Sequence, residues 1–448
     1  MYELLKSFNP WWVTAKVPQA LLGTQRPHYL GQIKNVLSHR EIIELIGIRR
    51  SGKTTLLYQT IDFLLKSNVP PLNILFVPID SESLQLQLNK NNPLDAILSE
   101  YISRIVPRGK IYILFDEIQS IDRFGGFIKE IYESKPDFKF ILSGSNSNLL
   151  QDESTRKLVG RTYTIPIHPL SFKEILEFTD TPYQKETERV VSSIKYWLNR
   201  YFTYGGFPEI VRAFLNPPFS LKDGAVVLPS MEINGELTFC RHLLQEYFEG
   251  ILYKDIIQVY SIREANLLSR LATYIAVNSG GKTNSTSLCN ILGSNKNTID
   301  DYLRYLVKSY LIVDIPFYSQ SRKSTIRKDR KYYVRDNGFY TIFSSRVDEG
   351  FVAETTVLLK LLEQFSTDSI FYWDGNHECD FIVDKFGTKM AIEVKYQNQD
   401  REVKGLIEAM EKLKLSEGIV VTKDIEREEK FKEKKIKYIP LWKFLLDF

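Results

Sequence analysis

Short apolar runs alternate with segments of helical periodicity in the first third of the chain. Runs of strand length occupy residues 42–46, 73–80, 110–117 and 138–142. After the first run, Leu57, Ile61 and Leu64 recur at a spacing of three or four residues, which predicts an amphipathic helix. Buried strands that alternate with helices predict an α/β fold built on a parallel sheet.

Residues 170–260 are rich in helical patterns. Ser171 and Glu174 have the spacing of a capping box, which predicts a helix start. The dipeptide Gly205–Gly206 indicates a turn or a hinge. The segment 215–240 is less regular and predicts an inserted loop.

The pattern from residue 262 to residue 340 predicts a winged helix-turn-helix. Its helices are predicted at 267–276, 288–292 and 297–310, with a turn at 293–295 and strands at 311–317 and 331–334. The last hundred residues predict a helix, three strands, a helix and two more strands. These elements are predicted at 351–364, 369–373, 378–383, 390–396, 401–413, 418–421 and 435–439. This order is similar to a restriction-endonuclease-like core.

Composition excludes several classes of protein. The length of 448 residues corresponds to about three domains. A net charge of +4 does not indicate nucleic-acid binding by the chain as a whole, so any such site must be local. The three cysteines lie far apart without CxxC spacing, which argues against a zinc site or a disulfide framework and fits a reducing, cytoplasmic location. No apolar run reaches the length of a membrane span, and the N-terminal residues lack the order of a signal peptide.

The segment GIRRSGKT, from Gly47 to Thr54, fits the phosphate-binding P-loop template. A glycine-rich turn before a helix exposes backbone N–H groups to the phosphates of a nucleoside triphosphate. Lys53 would reach the β and γ phosphates, and the Thr54 hydroxyl would complete the shell of Mg²⁺. The predicted nucleotide-binding set also contains Arg50, Ser51, Gly52 and Thr55.

The run KIYILFDE, residues 110–117, predicts a buried strand that ends in two carboxylates. Such a Walker B arrangement would let Asp116 hold Mg²⁺ through water and Glu117 polarise the attacking water. The alternative is a strand that merely ends in an acidic turn. The next strand runs into SGSNSN, where Ser143, Ser145 or Asn146 is a candidate γ-phosphate sensor.

Two arginines, Arg156 and Arg161, precede another predicted strand at 163–167. An arginine there can stabilise transition-state charge on the nucleotide of a neighbouring subunit, and Arg161 is the predicted catalytic one. A plain surface arginine is the competing interpretation. Arg26 and Tyr29 precede an amphipathic helix that would border the nucleotide base or serve only as core contact.

Basic residues concentrate between the two predicted wing strands. Seven basic and two acidic residues give 7 − 2 = +5 over residues 318–337, namely Arg322, Lys323, Arg327, Lys328, Arg330, Lys331 and Arg335 against Asp329 and Asp336. An exposed basic wing suits contacts with DNA phosphates. A protein-interaction module with a solvated loop is the alternative.

A second chemical constellation lies in the last hundred residues. Glu393 and Lys395 share one strand face because side chains alternate, and Asp380 would face them from the neighbouring strand. The carboxylates would bind Mg²⁺, and Lys395 would position or deprotonate a water for phosphodiester attack. An exposed ion pair between Glu393 and Lys395 is the alternative.

Several motifs together resemble a family of prokaryotic, largely archaeal, AAA+-type ATPases. They are GIRRSGKTTLL, ILFDEIQ, LSGSNSNLL, LVGR with PLSFKEIL, and YGGFPEIV. The resemblance implies an ATPase core at 1–168, a helical lid at 169–261, a winged helix at 262–340 and a PD-(D/E)xK nuclease-like domain at 341–448. Within the last domain it implies that Glu354 joins Asp380 and Glu393 as a metal ligand.

Two functions follow from these expectations. The first is an ATP- and Mg²⁺-dependent protein that acts on DNA by binding or cutting it. A homo-oligomer is compatible with this function, and the sequence leaves open whether an arginine completes the ATP site in cis or in trans. The second is a nucleotide-driven regulatory switch whose C-terminal domains only dock protein or DNA.

Overall fold

The computed structural model describes residues 1–448 except 89–91, 146–156, 216–231, 320, 322–324, 326–327, 345 and 398–402. The described residues form two compact units. Unit 1 comprises Met1–His168 with Lys308–Tyr310, and unit 2 comprises Pro169–Val307 with Leu311–Phe448. The predicted division of residues 169–448 into three domains stays a prediction.

Unit 1 is an α/β structure. Its helices are α1 Tyr2–Phe8, α2 Trp11–Thr14, α3 Gln19–Leu22, α4 Pro27–Leu37, α5 Lys53–Lys66, α6 Glu82–Gln85, α7 Pro93–Ile105 and α8 Phe124–Ser134, with 3₁₀ turns at Pro71–Asn73 and Ile118–Ser120. Its strands are β1 Ile42–Ile46, β2 Ile74–Pro78, β3 Ile111–Asp116, β4 Phe138–Gly144 and β5 Thr162–Pro166. The predicted strands at 42–46, 73–80, 110–117, 138–142 and 163–167 correspond to these five.

The five strands form one parallel sheet in the order β2-β3-β4-β1-β5. The sheet separates two apolar clusters, one containing Ile113 and Leu142 and the other containing Leu45 and Leu114. Continuous apolar strands are what a parallel sheet covered on both faces requires. Because all strands run the same way, the segments that follow β1, β3 and β4 meet at one edge of the sheet.

Unit 2 begins with helices and ends in a mixed α/β structure. Its helices are α9 Phe172–Phe178, α10 Glu188–Tyr204, α11 Pro208–Leu215, α12 Glu232–Gly250, α13 Gln258–Tyr260, α14 Ala265–Val277, α15 Ser285–Leu292, α16 Lys296–Lys308, α17 Gly338–Thr341, α18 Glu349–Gln364, α19 Lys404–Lys412 and α20 Leu441–Asp447, with a π-helical segment at Ile251–Ile257 and a 3₁₀ turn at Thr367–Ser369. The predicted capping box at the start of α9 is present, with Ser171 and Glu174 bonded reciprocally.

The dipeptide Gly205–Gly206 forms a buried, tightly bonded turn. The Gly206 N–H donates to Asp336 Oδ2 over 2.8 Å, and the Leu170 N–H donates to the Gly206 carbonyl over 2.7 Å. Gly205 has φ +73°, and a Cβ there would lie 1.7 Å from Asp336 Oδ1. Of the two alternatives in the sequence, turn and hinge, the bonding favours the turn.

A three-stranded antiparallel sheet accompanies α14 to α16, with its first strand between α14 and α15 and the other two after α16. Its strands, β6 Lys282–Thr283, β7 Ile312–Pro316 and β8 Arg330–Val334, pair in the order β6-β8-β7. The predicted strands at 311–317 and 331–334 correspond to β7 and β8.

The seven residues of the predicted basic tip divide into three groups. Arg322, Lys323 and Arg327 lie outside the described residues. Lys328 is exposed, and Arg330 pairs with Asp314 of β7. Lys331 and Arg335 are buried, with 2% and 8% of their surface exposed. The prediction of an exposed position is therefore wrong for these two, because they lie in and after the inner strand β8.

The C-terminal part of unit 2 contains a six-stranded mixed sheet. The strands are β9 Ile370–Asp374, β10 Glu378–Lys385, β11 Thr388–Lys395, β12 Glu417–Thr422, β13 Arg427–Phe431 and β14 Lys434–Pro440, in the order β13-β14-β12-β11-β10-β9. Strand β11 pairs antiparallel with β10 and parallel with β12. Helix α19 packs its Leu406, Ala409 and Met410 on this sheet.

No helix in the described part of the chain is long and apolar enough to cross a membrane.

Candidate functional site

The loop between β1 and α5 has the backbone that a phosphate-binding turn needs. Gly47 and Gly52 have φ +153° and φ +98°, which glycine adopts without steric cost. A Cβ on Gly47 would lie 2.1 Å from the Ile167 carbonyl oxygen, so the loop passes too close to its neighbour for any side chain. Helix α5 begins at Lys53 and directs its N-terminus toward this loop.

Lys53 folds back over the loop. Its Nζ donates to the carbonyl oxygens of Gly47 over 3.0 Å and Ile48 over 3.1 Å, and it lies 4.0 Å from Glu117 Oε1. The side chain is 3% exposed. This buried ammonium, held by backbone carbonyls of the loop, can pair with the negatively charged oxygens of a phosphate.

Asp116, at the end of β3, accepts two hydroxyl hydrogen bonds. Thr54 Oγ1 donates to Asp116 Oδ2 over 2.7 Å, and Ser143 Oγ donates to Oδ1. Burial and then the neighbouring charge of Glu117 raise the pKa of Asp116 to about 6, although Ser143, Thr54 and Lys53 oppose the change. A buried carboxylate with this raised pKa is a group that a cation would stabilise in its ionised form.

Glu117 follows Asp116 in a left-handed conformation with φ +51°. Its N–H donates to Ser143 Oγ over 3.1 Å, and its carboxylate accepts from Gln119 Nε2. Burial alone raises the pKa of Glu117, but Lys53 and Arg49 outweigh that effect and leave the pKa below its usual value. Glu117 is therefore ionised at neutral pH and can accept a proton.

The same sheet edge contains donors suited to a magnesium nucleotide. The Ser51 Oγ is buried and has no hydrogen-bond partner in the described residues, as expected for a hydroxyl whose partner is a ligand. Thr54 and Asp116 supply the hard oxygen ligands that Mg²⁺ prefers. The residues present fit a nucleoside triphosphate and its Mg²⁺, and Thr54 and Asp116 are those that would hold the ion.

The other predicted nucleotide contacts are placed as follows. Arg50 is exposed with φ +70°, and Thr55 is half-buried in the first turn of α5. Of the three candidate sensors, Ser143 contacts Asp116 and Ser145 accepts from Gln119 over 3.1 Å. Asn146 lies outside the described residues.

Arg161 lies at the opposite end of the sheet from this loop. Its carbonyl accepts from the N–H of Ile42, the first residue of β1, whereas the loop follows the last residue. One strand of five residues separates them, about 15 Å. The guanidinium pairs with Glu133 over 2.7 Å. Arg161 therefore does not serve the ATP site of its own chain, and a role at a neighbouring site stays a prediction. Arg156 lies outside the described residues.

Arg26 supports the loop from behind, a contact that sequence reasoning missed. The residue is 2% exposed. Its Nη1 donates to the carbonyl oxygens of Ser51 and His168, each over 2.9 Å, and the guanidinium stacks 4.4 Å from the ring centre of Tyr29. The sequence offered base contact or core contact for Arg26 and Tyr29, and nothing in the spacing indicated that Arg26 reaches the loop.

The structure brings the second predicted constellation together in unit 2. Glu354 lies on α18, Asp380 on β10, and Glu393 with Lys395 on β11. Lys395 Nζ pairs with Glu393 Oε1 over 2.5 Å. Glu393 is only 3% exposed, so this pair is not the exposed ion pair of the alternative interpretation.

Lys331 of β8 enters this carboxylate cluster, defined as Glu354, Glu378, Asp380 and Glu393. Its Nζ lies 2.8 Å from Glu354 Oε1, 2.5 Å from Glu378 Oε1 and 3.7 Å from Asp380 Oδ1. Sequence reasoning missed both this lysine and Glu378. The one available signal is alternation along β8, which puts Lys331 on the same face as the buried Tyr333.

The charges of the cluster act strongly on one another. Burial lowers the pKa of Lys331, but Glu354 and the other acids raise it well above its usual value overall. Burial, Glu354 and Glu393 raise the pKa of Asp380. Burial raises the pKa of Glu378, yet Lys331 and Lys282 bring it below its usual value. Lys331 is thus held as a cation.

Three family models match separate parts of the chain. A model described as an AAA domain matches residues 39–176. Two described as domains of unknown function, DUF8612 and DUF4143, match residues 234–348 and 349–444. The first match covers β1 to β5, the loop after β1 and the carboxylates after β3.

The relatives found over most of the chain are uncharacterized. One, from the archaeon Methanocaldococcus jannaschii, is 28% identical over 425 residues, covering 90% of this chain and 88% of the relative. Another, from the bacterium Haemophilus influenzae, is 27% identical and covers 83% of this chain and 86% of the relative. The Walker-type ATPase PABY2304 of Pyrococcus abyssi aligns over 71% of this chain and 95% of its own with 16% identity and a TM-score of 0.42.

These relatives come from both archaea and bacteria, which is broader than the largely archaeal distribution that the sequence motifs suggested. The AAA domain match agrees with the sheet order, the loop geometry and the paired carboxylates of unit 1. Residues 39–176 therefore resemble an AAA-type P-loop ATPase domain, and this likeness supports binding and hydrolysis of ATP.

Proposed function

We propose that the chain is an ATP hydrolase that acts on DNA through residues 169–448. One observation carries the first half: Lys53, Thr54, Asp116, Glu117 and Ser143 converge at the carboxyl ends of β1, β3 and β4. Residues from three strand ends that share one hydrogen-bonded network are already positioned for phosphate, cation and water.

Each of these residues has a distinct task in hydrolysis. The loop amides and Lys53 would bind the phosphates, and Thr54 and Asp116 would hold Mg²⁺, which would supply positive charge to the reacting phosphates. Glu117, ionised and fixed through its N–H by Ser143, orients the attacking water and accepts its proton. Ser143 is bonded to both Asp116 and Glu117 and so fixes the cation ligand relative to the base.

The test of ATP hydrolysis compares three variants with the wild-type chain. Glu117→Gln should still bind ATP but lower turnover by about 10²- to 10⁴-fold, the usual worth of a general base. Lys53→Ala should lose ATP binding itself. The exposed Asp122→Asn is the matched control and should leave both quantities unchanged. Wild-type turnover by Glu117→Gln would remove Glu117 from the mechanism.

For the second half, we assign a winged-helix architecture to α14–α16 with β6–β8. The proposal is supported by the helix–turn–helix order, by the antiparallel strands β7 and β8, and by the exposure of Lys328 between them. The basic sequence at Arg322, Lys323 and Arg327 adds to it. Contacts of this kind are with the phosphate backbone, so binding should weaken with salt and show little sequence preference.

The DNA proposal is tested by the salt dependence of duplex binding. Exchanging Lys328 for Glu, together with Arg322→Glu and Arg327→Glu, should weaken binding to every duplex and reduce the slope of log K against log salt. Lys434→Met is the control and should not reduce that slope. The Nζ of Lys434 is bonded to the carbonyls of Met410 and Leu415. If the wing substitutions leave duplex affinity and its salt dependence unchanged, the alternative of a switch that docks protein would be favoured.

We also propose, from the resemblance, that the C-terminal α/β part is a restriction-endonuclease-like domain. The proposal is supported by the order of its helices and strands and by the positions of Glu354, Asp380, Glu393 and Lys395 on α18, β10 and β11. Metal-dependent cleavage is thus a candidate activity. One observation favours docking without cleavage instead: the ammonium of Lys331 already lies among the carboxylates.

Cleavage and docking are separated by incubating several DNA forms with Mg²⁺ or Mn²⁺ and the full chain, Lys395→Ala or Lys53→Ala. We expect no cleavage by any of them. Cleavage by the wild type that only Lys395→Ala abolishes would establish an independent nuclease. Cleavage that Lys53→Ala also abolishes would show that ATP drives it.

A further inference from the structure

Lys331 occupies the centre of the carboxylate cluster. Its ammonium is within hydrogen-bond distance of Glu354 Oε1 and Glu378 Oε1, at 2.8 and 2.5 Å, and within 3.7 Å of Asp380 Oδ1. The side chain is 3% exposed. Oxygen atoms from one helix and one strand therefore surround a single positive charge, as they would surround a bound cation.

The position of this ammonium is fixed by the fold. Lys331 lies in β8, where it pairs with Ile315 of β7 and Lys282 of β6. Tyr333, two residues along on the same face, donates its hydroxyl to the Glu354 Oε1 that Lys331 also contacts, over 2.6 Å. A strand that is paired on both sides leaves the lysine little freedom to withdraw.

Three further carboxylate oxygens of the cluster are engaged by groups other than Lys331. Asp380 Oδ2 accepts from the Val394 N–H over 2.7 Å, and Glu378 Oε2 pairs with Lys282 over 2.8 Å. Glu393 Oε1 pairs with Lys395. In the described part of the chain, no group of three or more His, Cys, Asp or Glu side chains is arranged to hold a metal ion.

One buried oxygen of the cluster lacks a hydrogen bond in the described residues. Glu393 Oε2 is buried and makes no hydrogen bond in the described structure. A buried carboxylate oxygen without a donor is costly, and its presence beside Asp380 shows that the cluster has ligand capacity left over. Removal of the Lys331 charge would add Glu354 and Asp380 to that capacity.

We infer that the Lys331 ammonium is the resident cation of the carboxylate cluster, that the wild-type chain takes no divalent cation there, and that loss of this one charge converts the cluster into a divalent-cation site. The chemistry is that of hard carboxylate oxygens, which accept Mg²⁺ or Mn²⁺. The inference is independent of ATP turnover and of DNA binding, because it concerns only the charge at the centre of the cluster.

The experiment titrates Mn²⁺ into the full chain without nucleotide and follows the free ion by electron paramagnetic resonance. An Asp116→Asn background removes the charged cation ligand of unit 1. In this background the chain with Lys331 should bind no Mn²⁺ tightly, and Lys331→Met, which keeps the length of the side chain, should bind one ion. Lys331→Arg keeps the charge and should bind none.

Two further measurements make the result decisive. Adding Asp380→Asn to Lys331→Met should abolish the new site, and Mn²⁺ should raise the melting temperature of Lys331→Met but not that of the chain with Lys331. One Mn²⁺ bound in the presence of Lys331 and lost on Asp380→Asn would overturn the inference. So would a folded Lys331→Met chain that binds no ion. If Lys331→Met does not fold even with Mn²⁺, the titration of the chain with Lys331 decides between these outcomes.

Discussion

The hydroxyl of Thr54 donates a hydrogen bond to Asp116 Oδ2 over 2.7 Å, across 62 residues of chain. Thr54 belongs to the first turn of α5, and Asp116 ends β3. Strands β3 and β1 are not neighbours, since β4 lies between them. The contact therefore joins the phosphate-binding loop to the carboxylate pair without any help from adjacent-strand pairing.

Replacing Thr54 tests whether this hydroxyl serves the cation or only the packing. Thr54→Ala should lower ATP turnover by roughly 100-fold, because the cation loses one oxygen ligand and its orientation. Thr54→Ser keeps the hydroxyl and should retain most of the turnover. The measurement is steady-state turnover as a function of Mg²⁺ concentration, and the Ala variant should need more Mg²⁺ for half-maximal rate.

A different outcome would separate the two roles. If Thr54→Ala and Thr54→Ser lower turnover equally, the methyl group and not the hydroxyl matters, and the assignment of Thr54 as a cation ligand fails. Unfolding midpoints of both variants should match the wild type, since Thr54 is exposed and loses one hydrogen bond at most.

Arg26 gives a second prediction because it holds the P-loop through the Ser51 carbonyl. Arg26→Lys retains the charge but cannot donate to Ser51 and His168 from one planar group. We expect a loss of roughly 10- to 100-fold in kcat/KM for ATP, as is usual for groups that orient a binding site. The rate is to be measured over a range of ATP concentrations so that kcat and KM are separated.

Arg40 is the matched control for Arg26. Its guanidinium also lies over a tyrosine ring, 4.5 Å from the ring centre of Tyr132, and it also donates to a backbone carbonyl, that of Tyr132, over 2.8 Å. Arg40 is exposed, however, and does not contact the loop. Arg40→Lys should leave kcat/KM unchanged, and equal effects of the two substitutions would show that Arg26 acts only through general stability.

The sequence was sufficient to predict the sheet of unit 1 and the segments that meet at its edge, because these signals are local. Residues adjacent in the chain define each of these features, namely the strand runs at 42–46 and 110–117, the loop between Gly47 and Thr54, and the two carboxylates at the end of β3. In a parallel sheet, knowing that each segment ends a strand suffices to predict that they meet. The proximity of these segments therefore followed from the order of elements.

The contacts of Arg26 and Lys331 could not be predicted in that way. Arg26 reaches Ser51 and His168, which lie 25 and 142 residues away, and no periodicity encodes such a distance. Lys331 was counted with the exposed basic residues because its neighbours in sequence are basic. Its side chain is instead buried beside Glu354 and Asp380. This burial depends on the packing of α18 and β10 against β8.

A third prediction concerns Glu44, a buried carboxylate in the middle of β1 with 1% of its surface exposed. Burial raises its pKa from 4.5 to about 7, although hydrogen bonds from Thr164 and Thr162 oppose this change. The folded chain therefore binds a proton that the unfolded chain releases between these two pH values. Stability from this group is present at low pH and is lost as the pH rises from about 4.5 to 7.

Glu44→Gln removes that dependence because glutamine stays neutral and can still accept from Thr164. Near pH 5 the variant and the wild type should unfold at similar midpoints. Near pH 8 the variant should be more stable by up to about 3 kcal/mol, the equivalent of the pKa difference. The measurement is denaturant unfolding of unit 1 by fluorescence at several pH values, with the exposed Glu41→Gln as control. A constant difference between Glu44→Gln and wild type at all pH values would contradict the raised pKa.

A fourth prediction compares two glycines that lie 16 residues apart, Gly31 and Gly47. A Cβ on Gly47 would meet the Ile167 carbonyl oxygen at 2.1 Å, and its φ of +153° disfavours any side chain. Gly47→Ala should therefore lower nucleotide affinity. It should also lower the free energy of unfolding by about 2 kcal/mol or more, because the backbone is strained where a side chain does not fit.

Gly31, in the interior of α4, has no atom within 4 Å of the position that a Cβ would take. Gly31→Ala should stabilise the chain by about 0.5–1 kcal/mol, because alanine loses less backbone entropy in a helix than glycine. Nucleotide affinity is to be measured by calorimetry and stability by denaturant unfolding, on both variants in the same buffer. Since the two substitutions add the same methyl group, opposite signs would locate the effect in the backbone of the loop. Destabilisation by both would mean that the added methyl group is costly wherever it lies, and the argument from the geometry of Gly47 would fail.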